Sequence, residues 1–158
     1  MKANEKTNVM RLLDGSDIPY ISHHYEPDSS LSGEEVSQLL GEETERVFKT
    51  LVTRGRSGAY YVFVIPVAEE LDLKKAAGAA GEKAIEMIRQ KELLPLTGYI
   101  HGGCSPVGMK KPFPTFVDET AQLFDRIGVS AGKVGAQVEL APEDLRRIVH
   151  FTYADLTA

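Results

Sequence analysis

Two stretches carry residue types able to do chemistry. The first is Val47-Phe48-Lys49-Thr50-Leu51-Val52, where a lysine interrupts an apolar strand pattern. Strand alternation puts Lys49 on one face with Val47 and Leu51. Its ammonium then either overhangs a partly desolvated cavity, where it would bind an oxygen or phosphate strongly, or snorkels from a sheet edge into water. The second stretch is Thr97 to Asp118, TGYIHGGCSPVGMKKPFPTFVD. A strand-like approach at Tyr99-Ile100 leads into Gly102-Gly103, Ser105-Pro106 and Gly108, and Pro112 and Pro114 deliver the chain to an apolar run from Thr115 to Val117. Glycine permits positive φ and close approach to the main chain, whereas proline fixes φ, so this loop has few conformations. It is either a site on a rigid scaffold or an elaborate turn.

The loop also holds Cys104, the one cysteine, three residues after His101. As a nucleophile the thiol would need a base and a group to orient that base, and no motif supplies them; a small buried thiol is the other reading. His101-x-x-Cys104 has metal-like spacing, but a structural zinc takes four ligands and His23, His24 and His150 are scattered, so neither metal nor other cofactor is expected. There is no G-x-S-x-G elbow, P-loop, G-x-G-x-x-G or H-E-x-x-H.

The elements that must position these stretches follow from periodicity and punctuation. Helices are predicted over Asn4 to Leu13, after Ser32 (with Glu35 completing a capping box and Gly41 as the stop), over Leu71 to Ala77, as a turn through Lys91 ending at Leu94-Pro95, and from Glu143 to Val149 with Pro142 at the first position. Strands are predicted at Tyr20 to Tyr25, closed by the turn Pro27-Asp28-Ser29-Ser30, in a hairpin of Val47 to Thr53 and Ala59 to Pro66, at Ala84 to Ile88, and in a second hairpin of Phe124 to Ser130 and Gln137 to Leu140. Tyr60 to Ile65 is apolar on both faces and should be a central strand. Strands and helices do not alternate regularly, so the class is α+β with a mixed sheet.

A chain of 158 residues fits one domain, residues 1–158, with one core. With 42% hydrophobic and 26% charged residues, no long apolar run and no apolar h-region near the N-terminus, the composition implies a soluble cytoplasmic protein without membrane association. A net charge of −5 argues against bulk electrostatic coating of nucleic acid, although Arg54 with Arg56, Lys74-Lys75, Lys110-Lys111, Lys133 and Arg146-Arg147 are local basic patches, each either a solvated face or a polyanion contact.

Taken in order, Phe48-Lys49-Thr50-Leu51-Val52, Leu71-Asp72-Leu73-Lys74-Lys75-Ala76, Thr97-Gly98-Tyr99 and Gly102 to Lys111 resemble the YbaK/EbsC family of aminoacyl-tRNA deacylases, relatives of the editing domain inserted in bacterial prolyl-tRNA synthetase. The resemblance spans nearly the whole chain. It implies a single domain with a mixed, barrel-like sheet flanked by helices, and a pocket between the lysine strand and the glycine loop. Lys49 matches the family's essential lysine, followed by Thr50; Tyr25 matches an aromatic at the pocket mouth; Gly102 and Gly103 match the loop whose main chain faces the aminoacyl ester. Ser105 and Pro106 belong to that loop as substrate contacts, and Ser130 opens a turn resembling serine-glycine-glycine-lysine. Three positions depart: Ala131 replaces a glycine, Cys104 an aliphatic residue and Met109 a glutamine, with consequences for the turn and for pocket shape.

The implied activity is removal of cysteine from mischarged tRNA(Pro) in trans, the substrate's own thiol attacking its ester, with Lys49 and the Gly102-Gly103 amides stabilising charge on oxygen. The implied partners are the mischarged tRNA and, as a source of tRNA selectivity, prolyl-tRNA synthetase. Two alternatives stand beside it: alanine removal from the same tRNA by an activated water, and a non-catalytic tRNA or amino-acid binding module.

Overall fold

The computed structural model describes residues 6–28 and 30–158. Helix α1, Asn8–Gly15, is capped by Thr7, whose hydroxyl accepts from the Met10 amide at 3.2 Å, and it buries Val9, Met10 and Leu13. The first residues of the helix predicted from Asn4, and Ser29 of the predicted turn, lie outside the described residues. Strand β1, Ile21–His24, precedes α2, Gly33–Leu39, where the capping box forms: Ser32 Oγ accepts from the Glu35 amide at 3.1 Å and Glu35 Oε1 accepts from the Ser32 amide at 3.0 Å. After a 3₁₀ turn, Thr44–Arg46, come β2, Phe48–Gly55, and β3, Tyr60–Pro66, paired as the expected hairpin with Lys49 opposite Ile65.

Helix α3, Leu73–Ala80, starts on Asp72, whose carboxylate accepts from the Lys74 and Lys75 amides, and stops at Gly81 in the left-handed region. Strand β4, Ile85–Met87, is followed by α4, Gln90–Thr97. This helix runs past Pro95, where the sequence reading ended it; Pro95 has no amide to donate, but one missing bond in so short a helix is tolerated. The rest of the chain contributes β5, Thr115–Asp118; a 3₁₀ turn, Glu119–Leu123; β6, Ile127–Ser130; β7, Ala136–Leu140; α5, Pro142–Arg146; and β8, Phe151–Ala154. The final helix is shorter than predicted because the chain turns after Arg147, whose guanidinium donates to the Ser16 carbonyl at 2.9 Å.

The strands make two sheets where a single barrel-like sheet is predicted. One is β4-β2-β3-β5-β8, mixed, with parallel β3–β5 and β5–β8 pairs; the other is antiparallel β1-β7-β6. A bridge between Val47 and Gly128 joins them. The barrel fails to close on the free edge of β2: Val47 bridges to Gly128, Thr53 to Gly55 pair with β4, and between those points Lys49 to Leu51 have no strand on that side among the described residues.

Strand β3 is central, as its composition requires. Val62 and Val64 enter a core with Phe48, Val52, Val117, Val138 and Leu140, whereas Phe63 and Ile65 enter a second core beneath α3 with Ala76, Ala77, Ile85 and Leu156. Asp118, only 1% exposed, ties the C-terminus to β5: one carboxylate oxygen accepts from the Leu156 amide at 2.9 Å and the other from the Thr120 hydroxyl and amide at 2.5 and 3.2 Å. Removing the acceptor leaves buried donors unsatisfied. Asp118→Ala is therefore expected to lower the urea-unfolding free energy by about 2–4 kcal/mol, with Asp118→Asn recovering part of the loss.

Candidate functional site

A cavity of about 390 Å³ opens where β2 lacks its neighbour. Its floor is Val47 and Phe48 to Leu51 of β2. The walls are Tyr25 and Asp28 after β1, Leu31 to Gly33 and Val36 at the start of α2, and Ser130, Val134, Ala136 and Gln137 of the β6–β7 hairpin, while His101, Gly102 and Cys104 close the top. The volume suits a small molecule or the end of a large one.

Of the residues selected from the sequence, Lys49, Thr50, Tyr25, Gly102 and Ser130 come together here. Burial holds the Lys49 ammonium below the ordinary lysine range, while the carboxylates of Glu70, Glu34 and Glu69 pull the other way. The Thr50 hydroxyl is buried at the cavity with no hydrogen-bond partner among the described residues, which leaves a polar group there for a ligand to engage. Gly102 takes φ +86°, and among the described residues its amide has no acceptor. Ser130 Oγ is turned back to accept from the Gly132 amide at 3.2 Å.

Gly103, Ser105 and Pro106 are not in the wall. The Gly103 amide donates to the Ile100 carbonyl at 3.0 Å, and a Cβ added there would lie 2.9 Å from the Val134 nitrogen and 3.0 Å from Lys133 backbone atoms. Its lack of a side chain serves the contact between two loops, not the approach of a ligand. Ser105 is fully buried, its Oγ accepting from the Val107 amide at 3.2 Å, and Pro106 is buried beside it. Nor is Tyr99-Ile100 a strand: the Tyr99 amide donates to Thr97 Oγ1 at 3.0 Å and its phenol donates to the Val107 carbonyl, while the Lys110 amide donates to the Thr97 carbonyl at 2.9 Å and closes the neck of the loop.

The three departures separate cleanly. Ala131 needs no glycine, since the positive φ of its turn falls on Gly132, at +96°, and Ala131 donates to the Ala136 carbonyl. Met109 packs against the main core and does not line the cavity. Cys104 does line it, but burial pushes its thiol up to about 12, with a hydrogen bond to Thr97 lowering it only in part. At neutral pH this sulfur is a thiol and not a nucleophile.

Gln137 is a wall residue missed in the sequence. Strand alternation in Ala136 to Leu140 sets it and Glu139 on the face opposite buried Ala136, Val138 and Leu140, the same signal that selected Lys49. Among the described residues His101 and Cys104 gather no further metal ligand; the set that does come together is His23 Nε2 with oxygens of Glu42 and Glu139, all within 4.8 Å. Arg126 Nε lies 3.7 Å from Glu139 and Arg46 faces both carboxylates, so protein cations already supply positive charge there.

Fold and cavity together define an α+β domain whose glycine loop roofs a cleft over a half-buried lysine. The chain belongs to the aminoacyl-tRNA editing domain family, whose profile matches residues 27–148. It is 48% identical, over 99% of its length and 96% of the relative's, to a protein of Enterococcus faecalis provisionally named Cys-tRNA(Pro)/Cys-tRNA(Cys) deacylase EbsC. About half of it, 76 residues, is 34% identical to 13% of the proline--tRNA ligase of Thermosipho melanesiensis. Among solved structures it superposes with TM-score 0.80 and 25% identity on a protein provisionally described as a trans-editing enzyme for prolyl tRNA synthetase, covering 98% of this chain and 99% of that one. A hypothetical protein at 24% identity, matched over 96% of this chain and all of its own, gives TM-score 0.86 and supports the fold alone. No helix among the described residues is long and apolar enough to cross a membrane.

The packing of Gly103 on Lys133 and Val134 leads to a direct test. Gly103→Ala must push backbone against backbone, so it is expected to cost about 1–3 kcal/mol in thermal unfolding as well as binding at the cleft; a purely ligand-facing glycine would leave Tm unchanged.

Proposed function

We propose that this chain is an aminoacyl-tRNA deacylase that acts in trans on cysteinyl-tRNA(Pro), with the substrate's own thiol as nucleophile. The observation that carries the reading is a cleft that holds a half-buried cation and an unsatisfied hydroxyl but whose only thiol is kept protonated. A site without a protein nucleophile suits a substrate that brings one. The relatives' names support the same substrate class.

In this reaction the cysteinyl sulfur bonds to its own ester carbonyl carbon and negative charge develops on the carbonyl oxygen. Collapse breaks the bond to the ribose oxygen, giving a cyclic thioester, and the thiol proton passes on balance to the freed ribose hydroxyl. The protein's part is to hold sulfur and carbonyl in reach and to stabilise the oxyanion. The Lys49 ammonium and the unpaired Gly102 amide are suited to that work, and Thr50 and Tyr25 to holding the aminoacyl end. Ser130 is a secondary contact; Gly103, Ser105 and Pro106 act by shaping the roof. Selectivity then rests on chemistry: an aminoacyl group without a thiol cannot follow this path, whereas a fit differing by one methylene discriminates by only about 1–3 kcal/mol. With a net charge of −5 the chain has no surplus of basic residues for the tRNA body, which favours prolyl-tRNA synthetase as the partner that presents it, in the cytoplasm.

A panel of cysteinyl-, alanyl- and prolyl-tRNA(Pro) tests the assignment, cysteine release being expected to dominate; release of alanine first would make this a water-using editor. Lys49→Met is expected to lose at least ~100-fold in kcat while its Tm holds or rises, because a partly buried cation is exchanged for an apolar chain of similar length. Cys104→Ala is expected to keep most of the activity, and seryl-tRNA(Pro) to be inert. An aminoacyl adduct trapped on Cys104 would overturn the substrate-assisted route.

A further inference from the structure

The basic patches picked out in the sequence do not share one role. Arg146 is stacked on Phe151 and Tyr153, the Arg147 guanidinium donates to the Ser16 carbonyl at 2.9 Å, and Lys75 Nζ donates to Asp155 and to the Thr157 carbonyl at 3.0 and 2.8 Å; these serve the fold. Arg54, Arg56, Lys110 and Lys111, far apart in the chain, instead meet on one strip of surface. Tyr60 links them. In the β2–β3 hairpin it stands opposite Arg54, and its ring packs on Phe113 with centroids 5.6 Å apart. Phe113 follows Lys110-Lys111-Pro112, its amide donating to the Lys111 carbonyl at 3.1 Å, and the Pro114 carbonyl accepts from the Val62 amide of β3 at 2.9 Å. The hairpin tip is held in place: Glu82 accepts from the Ser57 amide and hydroxyl at 3.1 and 2.5 Å and from the Tyr61 phenol at 2.6 Å, while the Arg56 amide donates to the Ala84 carbonyl at 3.0 Å. An open groove of about 600 Å³ runs along it, lined by Arg54, Arg56, Ser57, Tyr60 and Glu86 among others.

Charge and position together say what this strip takes. Arg56, Lys110 and Lys111 are exposed and enter no ion pair among the described residues. Arg54 is met by Glu86 at 3.2 Å, both side chains exposed, and such a surface pair is weak enough to give way to a phosphate. Of the other nearby acids, Glu82 is engaged inside the hairpin and Glu92 accepts from the Arg89 amide at 2.8 Å at the start of α4. Two routes lead from the strip to the cleft. Along β2, Arg54 lies five residues beyond Lys49, about 17 Å at the rise of a strand. Along the glycine loop, Lys110 sits at the neck while His101 and Gly102 form the roof. A nucleic acid whose terminal ester is seated at Lys49 leaves the cleft within reach of the strip, and in a tRNA the phosphates so close to the ester belong to the unpaired 3′ end.

We propose that the strip from Arg56 and Arg54, across Tyr60 and Phe113, to Lys110-Lys111 is the docking surface for the single-stranded 3′ end of the substrate tRNA, its cations taking phosphates and the Tyr60 ring stacking a base. The inference rests on the deacylase reading above for the identity of the nucleic acid. A cationic groove beside an aromatic platform holds a single strand with little regard to sequence, and its phosphate contacts set affinity and register. The grip is confined to the end of the substrate, which accords with a net charge of −5 over the whole chain.

The test titrates the full chain into a short, uncharged, labelled RNA ending in CCA, from about 25 to 200 mM salt. Wild type should bind it with an affinity that falls as salt rises. Arg56→Ala and Lys111→Ala should each raise Kd about threefold to tenfold at the lowest salt and flatten the slope of log Kd on log salt by about 0.7, the double variant by about twice that. Lys74→Ala, which removes an exposed cation from α3, should change neither. Tyr60→Leu, which keeps an apolar side chain against Phe113, should lose about tenfold on this RNA and nothing on an abasic strand of the same length. In cysteinyl-tRNA(Pro) deacylation the double variant should raise KM with kcat unchanged, because contacts this far from the ester are the same in the ground and transition states. Absence of salt-dependent binding by wild type, an equal loss in Lys74→Ala, wild-type Kd or KM in the double variant, or wild-type binding of both strands by Tyr60→Leu each overturns the proposal. So does a double variant that holds RNA normally but no longer binds prolyl-tRNA synthetase, which would make the strip a protein-docking face. The RNA carries no amino acid, so a chain that binds it on the strip but deacylates nothing refutes the deacylase reading alone, whereas deacylation with wild-type KM in the double variant refutes this inference alone.

Discussion

The unpaired edge of β2 is the constraint from which the site follows. A strand edge with neither strand nor water against it would leave amides and carbonyls unsatisfied, so the gap between the Val47 bridge and the β4 pairing must face a solvent-filled or ligand-filled space. Everything around the cleft serves to bound that space. The capping box of α2 sets one wall, the β6–β7 hairpin the opposite one, and the glycine loop, drawn in at its neck by the Lys110–Thr97 bond, closes the top. Lys49 and Thr50 are exceptional on their strand because they sit where the sheet is interrupted.

The same desolvation acts in opposite senses on the groups inside. It favours the neutral form of each, which makes the cysteine inert and leaves the lysine a poorly solvated cation whose attraction for an oxyanion is the stronger for it. The nearby glutamates Glu70, Glu34 and Glu69 offset part of the cost of keeping that charge. A cleft of this kind disables its own sulfur while sharpening its own cation, and both effects come from one property of the space.

What could be read in the sequence was mostly what is local. The box Ser32–Glu35, the hairpin around Arg54 to Gly58, the doubly apolar β3 and the interrupting Lys49 all announce themselves within a few residues, and each is found where periodicity puts it. The division into two sheets was hidden, since it is set by which distant strands pair, and the Val47–Gly128 bridge that joins the sheets links residues far apart in the chain. So was the parallel seat of β8 beside β5, which depends on Asp118 reaching the Leu156 amide. The glycine loop shows both cases. Composition marked it as rigid, but which of its residues face the cleft is set by the neighbouring turn, so Gly102 and Gly103 look alike in sequence and part company in space. Gln137 and Glu139 could have been found by the alternation that found Lys49; Glu42, brought by a turn from elsewhere, could not.

The contact of Gly103 with Lys133 and Val134 has a bearing on how such a cleft can diversify. Because the two turns meet backbone to backbone, neither can lengthen, shorten or gain a side chain at the seam unless the other changes with it. The roof therefore drifts as a linked pair, and changes in the accepted amino acid are easier to reach from lining residues outside that seam, such as Leu31 and Val36.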